Sequence, residues 1–237
     1  MSEYRIQPVG HIATPFKQKF AIPRQPNLAA APGVITLAAD YHDASLFKGF
    51  DGYSHLWLLF MFHQNLHRGW QPAVKAPRLG GNATMGVFAT RSTHRPNGMG
   101  MSVVKNKGAR RVDGKWVVNV EGVDLVDGTP IIDIKPYLPY ADAVAEATDP
   151  LETYAPIPSR NVIWSEPARQ SLARLLNRAP EAQSLIESIL AQDPRPAYRH
   201  KVDDDDKTYR VALYNVDISW QVMQGAVHIL AIEPAEG

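Results

Sequence analysis

The sequence predicts a mainly β protein: an N-terminal β-barrel over residues 1–145, a connector over 146–160 and a small C-terminal α+β module over 161–237. Three observations predict it. Short apolar runs divided by turn residues fill the first part with no long helix between them, which is the pattern of a barrel or sandwich and not of a doubly wound sheet. The stretch "ADAVAEATDPLETYAPIPSR" is rich in alanine and proline and carries no sustained period, as a surface connector does. Beyond it the pattern changes to two helical segments followed by strands.

The strands can be followed in order. "YRIQPVGHIAT" alternates, "GVITLA" follows a Pro-Gly turn, and "SHLWLLFMFH" has the length of a buried strand. "MGVFAT", "MSVVKN", "KWVVNVEGVDLV" and "PIIDIKPYL" continue the series, and "YHDASLFKGF" carries apolar residues at near-helical spacing, so one helix is expected there. In the C-terminal part "SEPARQSLARLLNRA" opens on Ser165 and Glu166-Pro167, a good helix start, and "PEAQSLIESILAQ" reads as a second helix. "TYRVALYNVDISWQV" and "AVHILAIEP" then read as strands of a small sheet. Four aspartates in "VDDDDKTY" repel one another, so residues 202–209 are expected to form an exposed, mobile loop, and the EF-hand glycine and distal glutamate are missing.

Composition excludes several kinds of chemistry. The 237 residues contain no cysteine, which removes disulfides, thiolate metal sites and a cysteine nucleophile. The opening "MSEYRIQPVGHIATPF" is too charged for a secretory signal, and the longest apolar run, "LWLLFMF", is too short to span a bilayer. A cytoplasmic protein with no membrane association is the expectation. No G-x-G-x-x-G opens a helix after a strand, no P-loop is present, and no nucleophile elbow supports a serine hydrolase. The net charge of +1 neither favours nor disfavours a nucleic acid partner.

Four stretches can carry chemistry. "ATRSTHRPNGMGMS" packs Arg91, Arg95 and Asn97 beside Gly98, Gly100 and Ser102. Arginine forks suit carboxylates and phosphates, and glycines let the backbone approach a ligand closely. "FAIPRQP" holds Arg24 and Gln25 between prolines, so two polar side chains sit on a loop of reduced freedom. "HQNLH" nearly matches a zinc signature, but Gln64 replaces the glutamate and the segment follows a strand; His63 and Gln64 fit better as ligand contacts at a barrel rim. "DLVDGTPIIDIKPY" offers Asp124, Asp127 and Asp133, with Asp127-Gly128 expected to make a hairpin turn and Asp133 beside Lys135 a surface ion pair. Basic clusters (Lys75 and Arg78; Lys105, Lys107, Arg110 and Arg111; Arg195, Arg199 and Lys201) lie near Trp70, Trp116 and Tyr198, the mixture of charge and stacking surface that single-stranded RNA uses.

"FAIPRQP", "HLWLLFMFHQN", "PRLGGNATMGVFATRSTHRPN", "VDLVDGTPIIDIKPYLPY" and "AQDPRPAYR", in this order, resemble the TsaA-like, TrmO-type tRNA (adenine-N6)-methyltransferases through nearly the whole chain. The resemblance implies a non-Rossmann barrel that binds S-adenosyl-L-methionine, and it implies a homodimer. It implies methylation of N6 of threonylcarbamoyl-adenosine, next to the anticodon of threonine tRNA. Carried over by motif, the cofactor contacts are Pro23, Arg24, Gln25, His63, Gln64, Arg91, Met101, Asp124, Leu125, Val126 and Asp127. For catalysis, residue type and place favour Asp193 as proton acceptor, Asp133 second, and Asn97 to orient the adenine. Arg95, Lys105, Lys107, Arg110, Arg111, Arg195, Tyr198 and Arg199 are the expected RNA contacts. The chain departs from the family where Pro-Ile-Gly usually follows Arg95-Pro96-Asn97: here Gly98-Met99-Gly100 stands, and Gly98 is expected to loosen the turn. The competing readings are a non-catalytic sensor of S-adenosylmethionine or a nucleotide and, ranked last, a metal hydrolase built on His63, His67 and the aspartates.

Overall fold

A computed structural model describes residues 4–75, 83–149 and 157–235. Six strands close into a barrel: β1 (Gly10–Ala13), β2 (Pro32–Leu37), β3 (His55–Met61), β6 (Met99–Val112), β7 (Lys115–Glu121) and β8 (Thr129–Pro136). Their order around the barrel is β1-β2-β7-β6-β3-β8, with every neighbouring pair antiparallel. Within the long β3–β6 connection, β4 (Ala73–Lys75) and β5 (Thr84–Gly86) make a two-stranded ribbon. Arg78, on the segment "KAPR", lies outside the described residues.

Period-two alternation explains the strands. In β3, Leu56, Leu58 and Phe60 point into the core while His55, Trp57, Leu59 and Met61 stay partly exposed. Ile12, Ile35, Val104, Val118 and Ile131 join them, each at most 1% exposed. The lumen is therefore filled by side chains, as expected for a small barrel, and a ligand site must lie at a rim.

β6 runs further than "MSVVKN" indicated because it serves two partners, β3 along its first half and β7 along its second. The change of partner occurs where the register shifts between Asn106 and Ala109 and Gly108 takes φ +90°. Asn106 fixes that bend by donating to the carbonyls of Phe50 and Tyr53 at 3.1 and 2.9 Å and accepting from the Gly108 amide.

Three local expectations need correction. The segment 41–50 forms no α-helix; it makes 3₁₀ turns at Ala44–Phe47 and Phe50–Gly52, separated by Gly49 at φ +81°. Its near-helical apolar spacing instead places Phe47 against Phe50 and Trp116, with ring centroids 5.2 and 4.6 Å apart. "MGVFAT" is a strand only to Gly86 and then turns through Val87–Ala89. Asp127-Gly128 does make a turn, closed by the Thr129 amide on the Val126 carbonyl, but no hairpin, because β7 and β8 are not neighbours.

After a single helical turn, α1 (Pro139–Asp142), the C-terminal module contains β9 (Val162–Trp164), α2 (Glu166–Leu176), α3 (Ala182–Ala191), β10 (Asp205–Leu213), β11 (Val216–Met223) and β12 (Ala226–Pro234). The sheet order is β10-β11-β12-β9, with β9 parallel to β12. Ser165 caps α2 by accepting from the Ala168 amide, and Pro167 occupies the first turn. Leu172, Leu185, Ile186 and Leu190 from the helices pack with Trp220 and Ile229 of the sheet in the continuous core. The module touches the β1–β2 connection directly: Phe16 bridges Leu213, the Tyr214 amide donates to the Pro15 carbonyl, and Gln192 donates to the Leu28 carbonyl at 2.9 Å. Among the described residues no helix is long and apolar enough to cross a membrane.

Candidate active site

Topology decides where the cavity lies. Going round the barrel, β7 and β8 stand on opposite sides, so the short segment 122–128 must cross one open end. Its buried residues Val123 and Leu125 anchor it over the core. The end of β3, the start of β6 and the β1–β2 connection converge on the same end, since Met61 pairs Met99 and Ile12 pairs Thr129. They enclose a cavity of about 670 Å³. That is room for a ligand of nucleoside size.

Its walls are apolar and its polar groups few. Ile22, Phe60, Phe62, Met99 and Leu125 line it, with Phe60 and Phe62 packed edge to face at 5.3 Å. Gly100 brings the β6 backbone against these rings: a Cβ there would stand 2.5 Å from Phe60 and 2.7 Å from Phe62. Four cations, Lys19, Arg24, Arg91 and Arg95, reach the cavity, against one carboxylate, Asp124. An anionic group is therefore favoured inside it.

These side chains are held by partners. Arg91 donates to Gln25 Oε1 at 2.7 Å, joining the turn after β5 to the proline-flanked loop. Arg95 donates to the carbonyls of Thr90 and Ser92, which folds that turn back on itself. Lys19 donates to the Gln64 carbonyl and to Asn65 Oδ1, and Asn65 in turn donates to Thr93. Burial, then Arg68, lowers the Lys19 pKa, and burial first of all lowers that of His63 and favours the neutral imidazole. Asp124 accepts from Ser102 Oγ at 2.6 Å. Burial pushes its carboxyl up to about 6, against the lowering effects of the Ser102 hydrogen bond, its own amide and Arg91.

The cavity brings together Pro23, Arg24, Gln25, His63, Gln64, Arg91, Met101, Asp124, Leu125 and Val126, residues far apart in the chain. It does not include Asp127, whose oxygens are taken by the Thr14 amide and Lys17 at 2.8 Å each. Asp127 instead ties the crossing segment to the β1–β2 connection. Sequence reasoning missed Lys19, Asn65, Thr93 and Thr129, and pointed to Ser102 without giving it a role; only the crossing geometry reveals their place. His67 is exposed on a 3₁₀ turn, and among the described residues no three His, Asp or Glu side chains are placed to hold a metal.

The three residues expected to do catalysis do not converge here. Asn97 is exposed at φ +64° and shapes the Pro96–Gly98 turn. Asp133 sits opposite Leu59 in β8 and faces Lys135 at 3.7 Å, outside the cavity lining. Asp193 must be corrected outright. It is fully buried in the C-terminal module, where Arg195 binds both its oxygens at 2.7 Å and Arg160 binds Oδ2 at 2.8 Å. Burial alone would raise its carboxyl, but those hydrogen bonds hold it below the usual carboxylate range. It has no oxygen left to take a proton from a substrate.

Arg195 is equally a correction: it is 0% exposed and bridges Asp193 to Asp205, so it meets no RNA phosphate. The run "VDDDDKTY" is a loop only to Asp204: Asp203, Asp204 and Asp206 are exposed as expected, but β10 begins at Asp205. Asp205 is buried at the start of β10 under Arg195 and Tyr209, Asp204 accepts from the Gln224 amide, and Asp203 pairs Arg160 at 3.0 Å. Arginines from elsewhere in the chain supply the countercharge that spacing alone could not show. Gly98 is buried at φ +58°, with the Leu66 side chain against it. Proline cannot adopt that φ, so the departure from Pro-Ile-Gly changes the shape of the turn.

Of the remaining expected RNA contacts, Lys105 and Lys107 pair Glu121 at 2.7 and 3.6 Å, and Arg111 lies over Trp116 and donates to the His42 carbonyl. Arg110 is exposed. That basic face lies on the far half of β6, with Arg110 roughly 25 Å along the strand from Ser102 at a strand's rise per residue. Tyr198 is 67% exposed, with the Arg199 guanidinium 5.8 Å from its ring centre.

Comparison with known proteins agrees with this architecture. Residues 11–143 match the family model of the tRNA-methyltransferase O N-terminal domain, and residues 158–235 match that of the TrmO C-terminal domain. The chain is 44% identical to the tRNA (adenine(37)-N6)-methyltransferase of Escherichia coli over 99% of this chain and 100% of that protein. It is 48% identical to a putative S-adenosylmethionine-dependent methyltransferase, RcsF, of Pseudomonas aeruginosa over 92% of each. A crystal structure of TrmO from the same species superposes with a TM-score of 0.81 at 38% identity, covering 99% of both chains. With both domain models matched and relatives similar over nearly the whole chain, the chain belongs to the tRNA-methyltransferase O family.

Proposed function

We propose that this protein methylates N6 of adenosine 37 in tRNA with S-adenosyl-L-methionine as cofactor, and that its substrate is the threonylcarbamoyl-adenosine of threonine tRNA. One observation carries the reading: an apolar cavity, rimmed by four cations and one carboxylate among the described residues, at the end of a barrel of this family.

The donor set fits the cofactor. Arg91, held by Gln25, suits its carboxylate, the apolar walls of Phe60 and Phe62 suit its adenine and thioether, and Gly100 leaves the space they need. When bound, the cofactor supplies an electrophilic methyl group. Methyl transfer builds no new charge that the protein must hold, so the barrel contributes chiefly alignment and exclusion of water. The surplus of cations, with Arg95 and Lys19 beyond what one carboxylate needs, supports a substrate that brings its own anion, as a threonyl carboxylate does. Tyr198 and Arg199 offer a stacking and phosphate surface to the anticodon loop. Apolar side chains left exposed near the cavity, Leu66 and Met101, support a homodimer in which a second copy covers this rim.

The test is transfer of labelled methyl from S-adenosylmethionine to tRNA from cells lacking the enzyme, with Arg91→Ala alongside. Label in threonine tRNA that falls by about tenfold or more in the variant at low cofactor concentration is expected, the loss of a charge-assisted contact. Cofactor binding with no labelled RNA would instead favour a sensor module.

A further inference from the structure

We infer that Asp124 is the proton acceptor of the methyl transfer and that Ser102 sets its basicity. The inference rests on the proposed N6-methylation. The acceptor nitrogen bears a proton and holds its lone pair in conjugation, so the proton must leave as the new bond forms. In that step the N6 proton passes to a carboxylate oxygen of Asp124. The electron pair left on nitrogen forms the N–CH₃ bond, the methyl–sulfur bond breaks, and sulfur leaves as a neutral thioether. Asp124 later returns its proton to solvent.

Geometry singles out this residue. It is the one carboxylate that lines the cavity among the described residues, and it rides on the segment that crosses the barrel end between the adenosine-sized space and the core. Ser102 Oγ, reaching from β6, occupies Oδ1. Facing the same cavity are Arg91 and Arg95 from the turn after β5, Lys19 and Arg24 from the β1–β2 connection, and His63 after β3; Asp127, on its own segment, is spent on Lys17 and Thr14. The cations oppose protonation of Asp124 and of His63 alike, but burial favours the neutral form of each, which is the protonated one for Asp124 and the unprotonated one for His63. With its carboxyl pushed up to about 6, Asp124 is ionised yet proton-hungry near neutral pH.

Two variants test the assignment. Asp124→Asn keeps an oxygen for Ser102 and is expected to lower kcat at saturating cofactor by about 10²–10⁴-fold, the usual range for a lost general base. Its cofactor affinity, read by titration calorimetry, separates that loss of turnover at saturation from any loss of binding. Ser102→Ala removes a hydrogen bond that favours the ionised carboxylate, so the acid limb of the kcat–pH profile should move to higher pH. The assignment is overturned if Asp124→Asn turns over normally at saturation while binding cofactor weakly, which would make it a cofactor contact only, or if the acid limb stays in place in Ser102→Ala. A wild-type protein that methylates no tRNA would overturn the proposed reaction itself.

Discussion

Asp124 in the barrel and Asp193 in the C-terminal module are both drawn away from solvent, yet their carboxyls shift in opposite directions. Asp193 lies between two guanidinium groups that use both its oxygens, and the ionised form is locked in. Asp124 receives one neutral hydroxyl and feels Arg91 only at a distance, so burial wins and the protonated form gains. Burial by itself is therefore no sign of catalysis; what distinguishes the two is whether partners consume the oxygens. The module has a closed ionic network that gives one backbone course to residues 193–205, whereas the barrel leaves a charge unbalanced beside open space.

The largest expected effect breaks the network. Arg195→Ala strands Asp193 and Asp205 in the interior and should destabilise the module by about 3–5 kcal/mol. Scanning calorimetry should show a fall in Tm on the order of 10 °C. An unchanged Tm would mean that the network is solvated and the contrast with Asp124 unfounded.

The second effect runs the other way and depends on pH. A carboxyl whose folded pKa lies above its unfolded value of about 3.9 destabilises the ionised protein, and the penalty grows as pH rises from about 4 through about 6. Above pH 7 it approaches about 3 kcal/mol at most, from a shift of roughly two units. Asp124→Asn should therefore melt higher than wild type at pH 8 and lose that advantage below pH 4. Asp193 has the opposite sign: its lowered carboxyl stabilises the fold above pH 4, and that contribution is lost as pH falls further.

The smallest effect is expected at the surface. Lys105 pairs Glu121 with about half its side chain exposed, so Lys105→Ala should change stability by less than about 1 kcal/mol. A raised KM for tRNA in that variant, with Tm unchanged, would mark the far half of β6 as an RNA contact; an unchanged KM would leave RNA binding to the module and the cavity rim.

Local pattern carried much of this protein. Alternation in "HLWLLFMF" marks β3, Ser165 and Pro167 mark the start of α2, and the ordered motifs carry the family and most of the cavity residues. Spacing failed where the decisive partner is remote. Asp193 looked available because spacing does not show that it and Arg195, two residues on, both turn inward, nor that Arg160, 33 residues earlier, joins them; "VDDDDK" looked self-repelling because its arginines lie outside the run. The 41–50 segment looked helical because its two aromatic contacts can be served by two tight turns as well as by a helix.

The sequence by itself determined most of the barrel strands, the two helices, the absence of cysteine chemistry and the kinship of the chain, because each of these rests on residue type and near-neighbour spacing. The tertiary structure alone decided which carboxylate has its proton affinity raised. That property depends on desolvation and on the number of donors reaching each oxygen, and both are set by barrel closure, which sends residues 122–128 across an open end and leaves Asp124 facing a cavity.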